Sequence, residues 1–211
     1  MIGIEWYEIL RRVSGRGVRR GLVVVGVFLT MLLVVGLPSA CVESTKRITI
    51  VQADSSVLVT GEPTIDPAGI EEILVARGSP AAGQGDVFYD IGIEYGIDPV
   101  VALAWFAAES QMGTDEWWVG HKPDGTTTHN IGNIRCAGYY RCWDGFRDYE
   151  TWEDGIRDWY SLIHHGYVAY GLDTVGEIVP IYAPRSDNNN PDTVIAVIET
   201  TILMWRQGYR K

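Results

Sequence analysis

The chain has 211 residues, 46% apolar and 21% charged, with a formal net charge of −10. That is enough for one packed domain plus a further segment. The acidic balance excludes a nucleic-acid binder, which needs a basic stripe along one face.

The basic residues are unevenly placed. Arg11, Arg12, Arg16, Arg19 and Arg20 precede an uncharged apolar run from Gly21 to Leu37. Its length lies at the lower edge of the roughly 17–25 residues that span a bilayer. The arginines put residues 1–20 in the cytoplasm and everything after the run outside. Residues 21–40 therefore read as a transmembrane helix or a signal segment. Pro38-Ser39-Ala40 equally fits the small-residue exit of a cleaved signal peptide. Ala40-Cys41 resembles the end of a bacterial lipoprotein signal, with Pro38 where such boxes usually carry Leu. All three readings export the remainder of the chain, as an anchored or a secreted protein. The exported part holds 12 basic against 25 acidic residues, a formal charge of −13, which serves solubility. In that oxidising compartment Cys136 and Cys142 are expected to close a small loop as a disulfide. No His stands at ligand spacing from them, so neither a metal nor a cofactor is expected.

Residues 41–65 read as a linker with some strand character around Arg47–Val51. The domain is expected over residues 66–211. Asp66-Pro67 starts a helix running to about Ala76, with Ile70, Ile73 and Leu74 as its apolar face. After GSPAAGQG, Asp86 is expected to cap a second helix that ends at Tyr95-Gly96. Asp98-Pro99 starts a third, Val100 to Ala108 being apolar on every face, so it should be buried all round. Glu109 and Ser110 close that run, with Gly113 as its stop. Asp115 to Tyr149 is rich in Gly, Trp and Tyr without a helical period, and loops of that length are uncommon unless functional. Helices return over Trp152–His164, Thr174–Ile181 and from Asn190-Pro191 onward. These elements predict an all-α domain of about five to six helices around one buried helix, with a small irregular or β lobe.

An acid at the end of a buried apolar helix is either a costly structural ion or a tuned catalytic group. Low-dielectric surroundings raise its pKa, and a carboxyl still protonated near neutral pH can protonate a glycosidic oxygen. Aromatic residues gather in the irregular stretch: Trp117, Trp118, Tyr139, Tyr140, Trp143, Tyr149 and Trp152. Beside a carboxylate such rings suit stacking on sugar faces; a small satellite core is the alternative. Asn130-Ile131-Gly132-Asn133-Ile134-Arg135 offers two amides and a glycine-permitted backbone approach to a hydroxyl or acetamido group. In Ile181–Asn190, Tyr182 is the candidate and Asn188 to Asn190 a surface connection. His121, His129, His164 and His165 form no nucleophile or metal pattern.

Taken in order, GIDPVVALAWFAAESQMGT, HNIGNIR, FRDYETWEDGIRDWYSLI and YAPRSDNN resemble the glucosaminidase family of peptidoglycan hydrolases, in the lysozyme-like superfamily. The resemblance spans roughly Ile70 to Gln207 and implies a lysozyme-like fold. It implies hydrolysis of the β-1,4 bond after N-acetylglucosamine, with peptidoglycan glycan strands as substrate. Glu109 would be the general acid and Tyr182 would line the site and support the transition state. Asn133 and Ile131 would lie in the turn beside the acid. The family often has a second acid just before the FR-x-Y strand. Here that lobe is shortened to CAGYYRCWDG, and its only carboxylate, Asp144, is the candidate second catalytic acid, with inverting or substrate-assisted chemistry equally open. Ser110, Trp117, Trp118 and Asn130 are expected to contact substrate with Asn133, as are Tyr139, Tyr140 and Trp143. A lytic transglycosylase leaving anhydro ends and an inactive wall-binding module are the alternative functions.

Overall fold

The computed structural model describes residues 56–210. The apolar run at 21–37, Cys41 and the strand-like stretch at 47–51 lie outside the described residues. Within them, no helix is long and apolar enough to cross a membrane.

The described chain is all-α with a small β lobe. Its helices are α1 Pro67–Ala76, α2 Gly85–Tyr95, α3 Pro99–Ser110, α4 Trp152–Gly166, α5 Val175–Tyr182 and α6 Pro191–Arg206. Two short strands, β1 Cys142–Trp143 and β2 Phe146–Arg147, pair antiparallel between α3 and α4. Helix α3 packs against α2 and α6; α2 also packs against α1 and α4, and α5 against α6.

Helix α3 is enclosed as its composition demands. Pro99 to Phe106 are all buried, and Val100 to Ala104 are fully inaccessible. A helix apolar on every face is stable only when other elements cover every face. Its start is held by more than a local cap. The Asp98 carboxylate accepts from Val100 N at 3.2 Å, Thr64 N at 3.1 Å and Thr64 Oγ1 at 2.6 Å. It also pairs with Arg206 at 2.9 Å while only 1% exposed, tying the start of α3 to the end of α6. Asp98→Asn leaves the shape in place and, with its oxygen toward Val100 N and Thr64 N, the cap, but turns an amide N–H toward Arg206 and loses that charge-assisted bond. The expected cost is about 1.5 kcal/mol, read as a lower urea midpoint at unchanged slope.

Three local expectations are corrected. Residues 56–65, read as linker, belong to the folded body: Val59 is fully buried and Ile65 is 4% exposed. Leu58 bridges antiparallel to Thr174 and Thr60 to Ile97, so backbone groups of this lone extended segment find partners on two other elements. Asp86 does not cap α2. Gln84 is the cap residue without a side-chain bond, and Asp86 sits in the first turn, where its charge complements the helix dipole. Nor does α3 stop directly at Gly113. Gln111 and Met112 already turn left-handed, with φ of 51° and 63°, before Gly113 at 80°. Such φ values are strained for residues other than glycine. Here they seat Met112 at 1% exposure, and its carbonyl accepts the Ser79 hydroxyl at 2.7 Å.

Helices α4 and α5 start with reciprocal capping boxes, Thr151 with Asp154 and Thr174 with Glu177. Helix α4 lies directly on the irregular lobe. A Cβ at Gly155 would meet the His129 carbonyl oxygen at 1.8 Å, so only glycine permits this approach. The lobe itself is a hairpin whose Asp144-Gly145 tip has φ of 45° and 83°. Arg135 extends the hairpin by an antiparallel bridge to Phe146, and the expected Cys136–Cys142 disulfide closes its base.

Candidate active site

Glu109 occupies the last turn of α3, partly accessible to solvent. Burial pushes its carboxyl up from 4.5 to about 7, against the opposing effect of a hydrogen bond from Asn133. Asn133 Nδ2 donates to Glu109 Oε2 at 3.0 Å and to its backbone carbonyl at 3.2 Å. Asn133 Oδ1 in turn accepts from Trp118 Nε1 at 2.8 Å. Glu109 Oε1 carries no hydrogen bond among the described residues. The site therefore holds one neutral-prone carboxyl with one oxygen tied to the protein and the other untied.

The turn that delivers Asn133 is fixed from beneath. Asn130 is 1% exposed; its Oδ1 accepts from Ile134 N at 2.9 Å. Its Nδ2 donates to the carbonyls of Ile134 at 2.9 Å and Arg147 at 3.0 Å. All its polar capacity thus goes to holding the turn closed against β2. Asn133 itself has φ of 47°, a left-handed conformation that Asn tolerates better than most residues. The Tyr182 hydroxyl donates to the Gly132 carbonyl, and the ring packs edge-on against Trp105 at 5.1 Å. Burial, with Glu109 as the next influence, raises the Tyr182 hydroxyl far above its ordinary pKa of 10. Arg135 pairs with Asp187 at 3.3 Å, a second tie between this turn and the segment after α5.

Glu109, Asn133, Trp118 and Tyr182 thus meet at the end of α3, although they come from four separate stretches of the chain. Other expected site residues have different positions. Ser110 is 2% exposed; its hydroxyl donates to the Phe106 carbonyl and accepts from Gly113 N, so it closes the helix and does not face a ligand. Asn130 is likewise spent inside the turn. Asp144 is exposed at the hairpin tip with φ of 45°, and no carboxylate is bonded to Glu109 among the described residues.

The aromatic group divides in two. Trp118 is 5% exposed and packs on Phe106 and Trp152, as part of the main core. Trp117 and Tyr140 are 83% and 82% exposed and available to a ligand. Trp143 is half-buried in β1. Tyr139 lies tilted against Tyr140 at 4.7 Å and Tyr149 at 5.4 Å, with the Arg147 guanidinium 5.2 Å from its ring. Missing from the sequence reading is Asp158, which receives both Arg147 at 2.5 Å and the Tyr149 hydroxyl, joining β2 to α4. Its one visible signal is a carboxylate on the inward side of α4 facing an Arg-x-Tyr strand.

No group of His, Cys, Asp and Glu among the described residues is arranged to hold a metal. A shallow concavity between α1 and α2 is lined by Asp66, Glu71 and Asp86. Asp66 caps α1, and Glu71 accepts from Gly83 N and Gly85 N, so two of its three acids serve the backbone. No family model matches the chain, and no curated protein matches it.

Proposed function

We propose that the protein cleaves the β-1,4 bond after N-acetylglucosamine in peptidoglycan, with Glu109 as general acid. The observation that carries this reading is the placement of the carboxyl at the end of a buried helix, with Oε2 held by Asn133 and Oε1 untied, where burial pushes it up to about 7. A group with that pKa is both protonated enough to donate and acidic enough to release its proton at neutral pH. Exposed Trp117 and Tyr140 supply flat apolar surfaces with polar edges, suited to sugar rings. Glu109 makes no ion pair among the described residues, which favours an enzyme over an inert wall-binding module. On this reading the fold is lysozyme-like, and the Arg-flanked apolar run in the sequence supports a domain outside the cytoplasmic membrane, anchored or secreted.

In the reaction the Glu109 Oε1–H bond breaks and the proton passes to the glycosidic oxygen. The C1–O bond breaks toward that oxygen, which leaves as a hydroxyl; water then adds to the oxocarbenium-like C1 and releases one proton, which restores the Glu109 acid directly or through solvent. A second reading has one specific observation in its favour. The group bonded to Glu109 is the Asn133 amide and no second carboxylate, and a lytic transglycosylase needs one acid and no activated water. There the sugar's own C6 hydroxyl attacks C1, its proton passes to the Glu109 carboxylate, and a 1,6-anhydro end results.

Digestion of purified peptidoglycan followed by mass spectrometry of the fragments tests both. Reducing N-acetylglucosamine ends from the wild type and none from Glu109→Gln are expected. Anhydro ends would replace hydrolysis by the second reading. No glycan release, or equal release by the variant, would overturn the assignment.

A further inference from the structure

Trp118 and Asn133 were expected among the substrate contacts, yet both side chains have their polar atoms turned into the protein. We infer that they form a positioning relay, in which the Trp118 indole fixes the Asn133 amide so that it holds Glu109 Oε2 and leaves Oε1 as the oxygen that gives up its proton. The inference rests on the general-acid reading of Glu109.

The geometry admits one orientation of the amide. With Nδ2 toward Glu109 it donates to two acceptors, Oε2 and the backbone carbonyl, while Oδ1 receives the indole N–H. Turned over, Oδ1 would face both Glu109 oxygens and the amide hydrogens would face the indole N–H, losing all three bonds. The indole cannot turn away, because Trp118 is packed on Phe106 at 6.2 Å and Trp152 at 6.5 Å between ring centroids. A donor held at Oε2 makes that oxygen the carbonyl-like one of the neutral acid, so the proton resides on Oε1. When the proton leaves, the same N–H bonds the new carboxylate and strengthens as charge develops. The relay acts on the acid after donation, not on the sugar.

The surroundings of Glu109 make the relay readable. No charged group contributes to the displacement of its pKa, which burial and Asn133 alone account for. The ionisable side chain that interacts with it from another element is Tyr182 of α5, which stays neutral throughout the working range.

The test is a carbon-13 NMR titration of the Glu109 side chain without substrate, in wild type, Trp118→Phe and Asn133→Gly. Phenylalanine retains the ring packing and removes the N–H; glycine retains the left-handed backbone and removes the amide. Asn133→Gly is expected to raise the Glu109 midpoint by about one pH unit, the size of one charge-assisted hydrogen bond. Trp118→Phe should shift it in the same direction although the indole does not touch Glu109, and the double variant should shift no further than Asn133→Gly. In turnover, both variants should lower kcat about tenfold with KM unchanged and carry the alkaline fall of the rate upward with the midpoint. An unmoved midpoint in Trp118→Phe, or additive shifts in the double variant, would overturn the relay. Trp118→Phe alone decides if Asn133→Gly does not fold. Because the titration needs no substrate, failure of the relay is distinguishable from failure of the glycan-cleaving assignment.

Discussion

Glu109→Gln is expected to slow glycan release by about 10²–10⁴-fold, the usual contribution of a positioned general acid, while making the fold more stable above neutral pH. Both effects follow from one displacement. Burial holds the carboxyl at about 7 in the folded chain against 4.5 ordinarily. Below 4.5 it is protonated in both folded and unfolded chains, and the burial has no ionisation cost. Between 4.5 and about 7 the unfolded chain releases the proton while the folded chain keeps it, so stability falls as pH rises. Above about 7 both are ionised and the full penalty of about 3 kcal/mol is present. Glutamine cannot ionise and escapes that penalty. Urea unfolding at pH 4 and pH 8 should therefore show the wild type losing more stability than the variant between the two. Parallel losses would mean that Glu109 is not held near neutrality.

Gly132→Ala should damage fold and site together. An added Cβ would stand 2.4 Å from Trp159 Cδ1 and 2.4 Å from the Tyr182 hydroxyl oxygen. Trp159 is fully buried in α4, so the ring has no free space to enter. Overpacking at a site closed on both sides costs about 3 kcal/mol, at the upper end of its usual range. Relief requires the turn to lift, and lifting it breaks the Tyr182 bond to the Gly132 carbonyl and draws Asn133 from Glu109. A fall in thermal midpoint should accompany at least a tenfold loss of kcat in whatever fraction remains folded. Normal kcat in a folded Gly132→Ala variant would show that the 130–135 turn does not govern the acid.

The parts of this architecture that the sequence displays are those set by local chemistry. Asp98-Pro99 followed by an unbroken apolar run announces a buried helix, since no other structure satisfies both signals. The Asp66-Pro67, Thr174 and Asn190-Pro191 starts are legible for the same reason. Glu109 is legible as a candidate because a carboxylate directly after such an apolar run is drawn into a low-dielectric setting. Less legible are residues whose partners are remote. Ser56–Ile65 looks like a linker because its backbone partners, Asp98 and Asp173 among them, lie far along the chain. Asn130 and Asn133 are alike in sequence, yet one is consumed inside its turn and the other reaches Glu109. That difference is set by the left-handed φ at Asn133 and by β2 behind Asn130. Trp118 reads as a sugar platform by composition; its burial depends on Phe106 and Trp152, supplied by two different helices. Asp144 stands out in sequence as the shortened lobe's only carboxylate, while its place at the tip of a two-residue turn depends on the pairing of β1 with β2.

The most direct test of the account is to measure one number twice: the titration midpoint of Glu109 by carbon-13 NMR, and the pH at which kcat/KM on a peptidoglycan fragment falls by half on the alkaline side. Both are expected at about 7, with the alkaline fall tracking loss of the Glu109 proton. A Glu109 midpoint near 4.5, with activity persisting above neutrality, would contradict it.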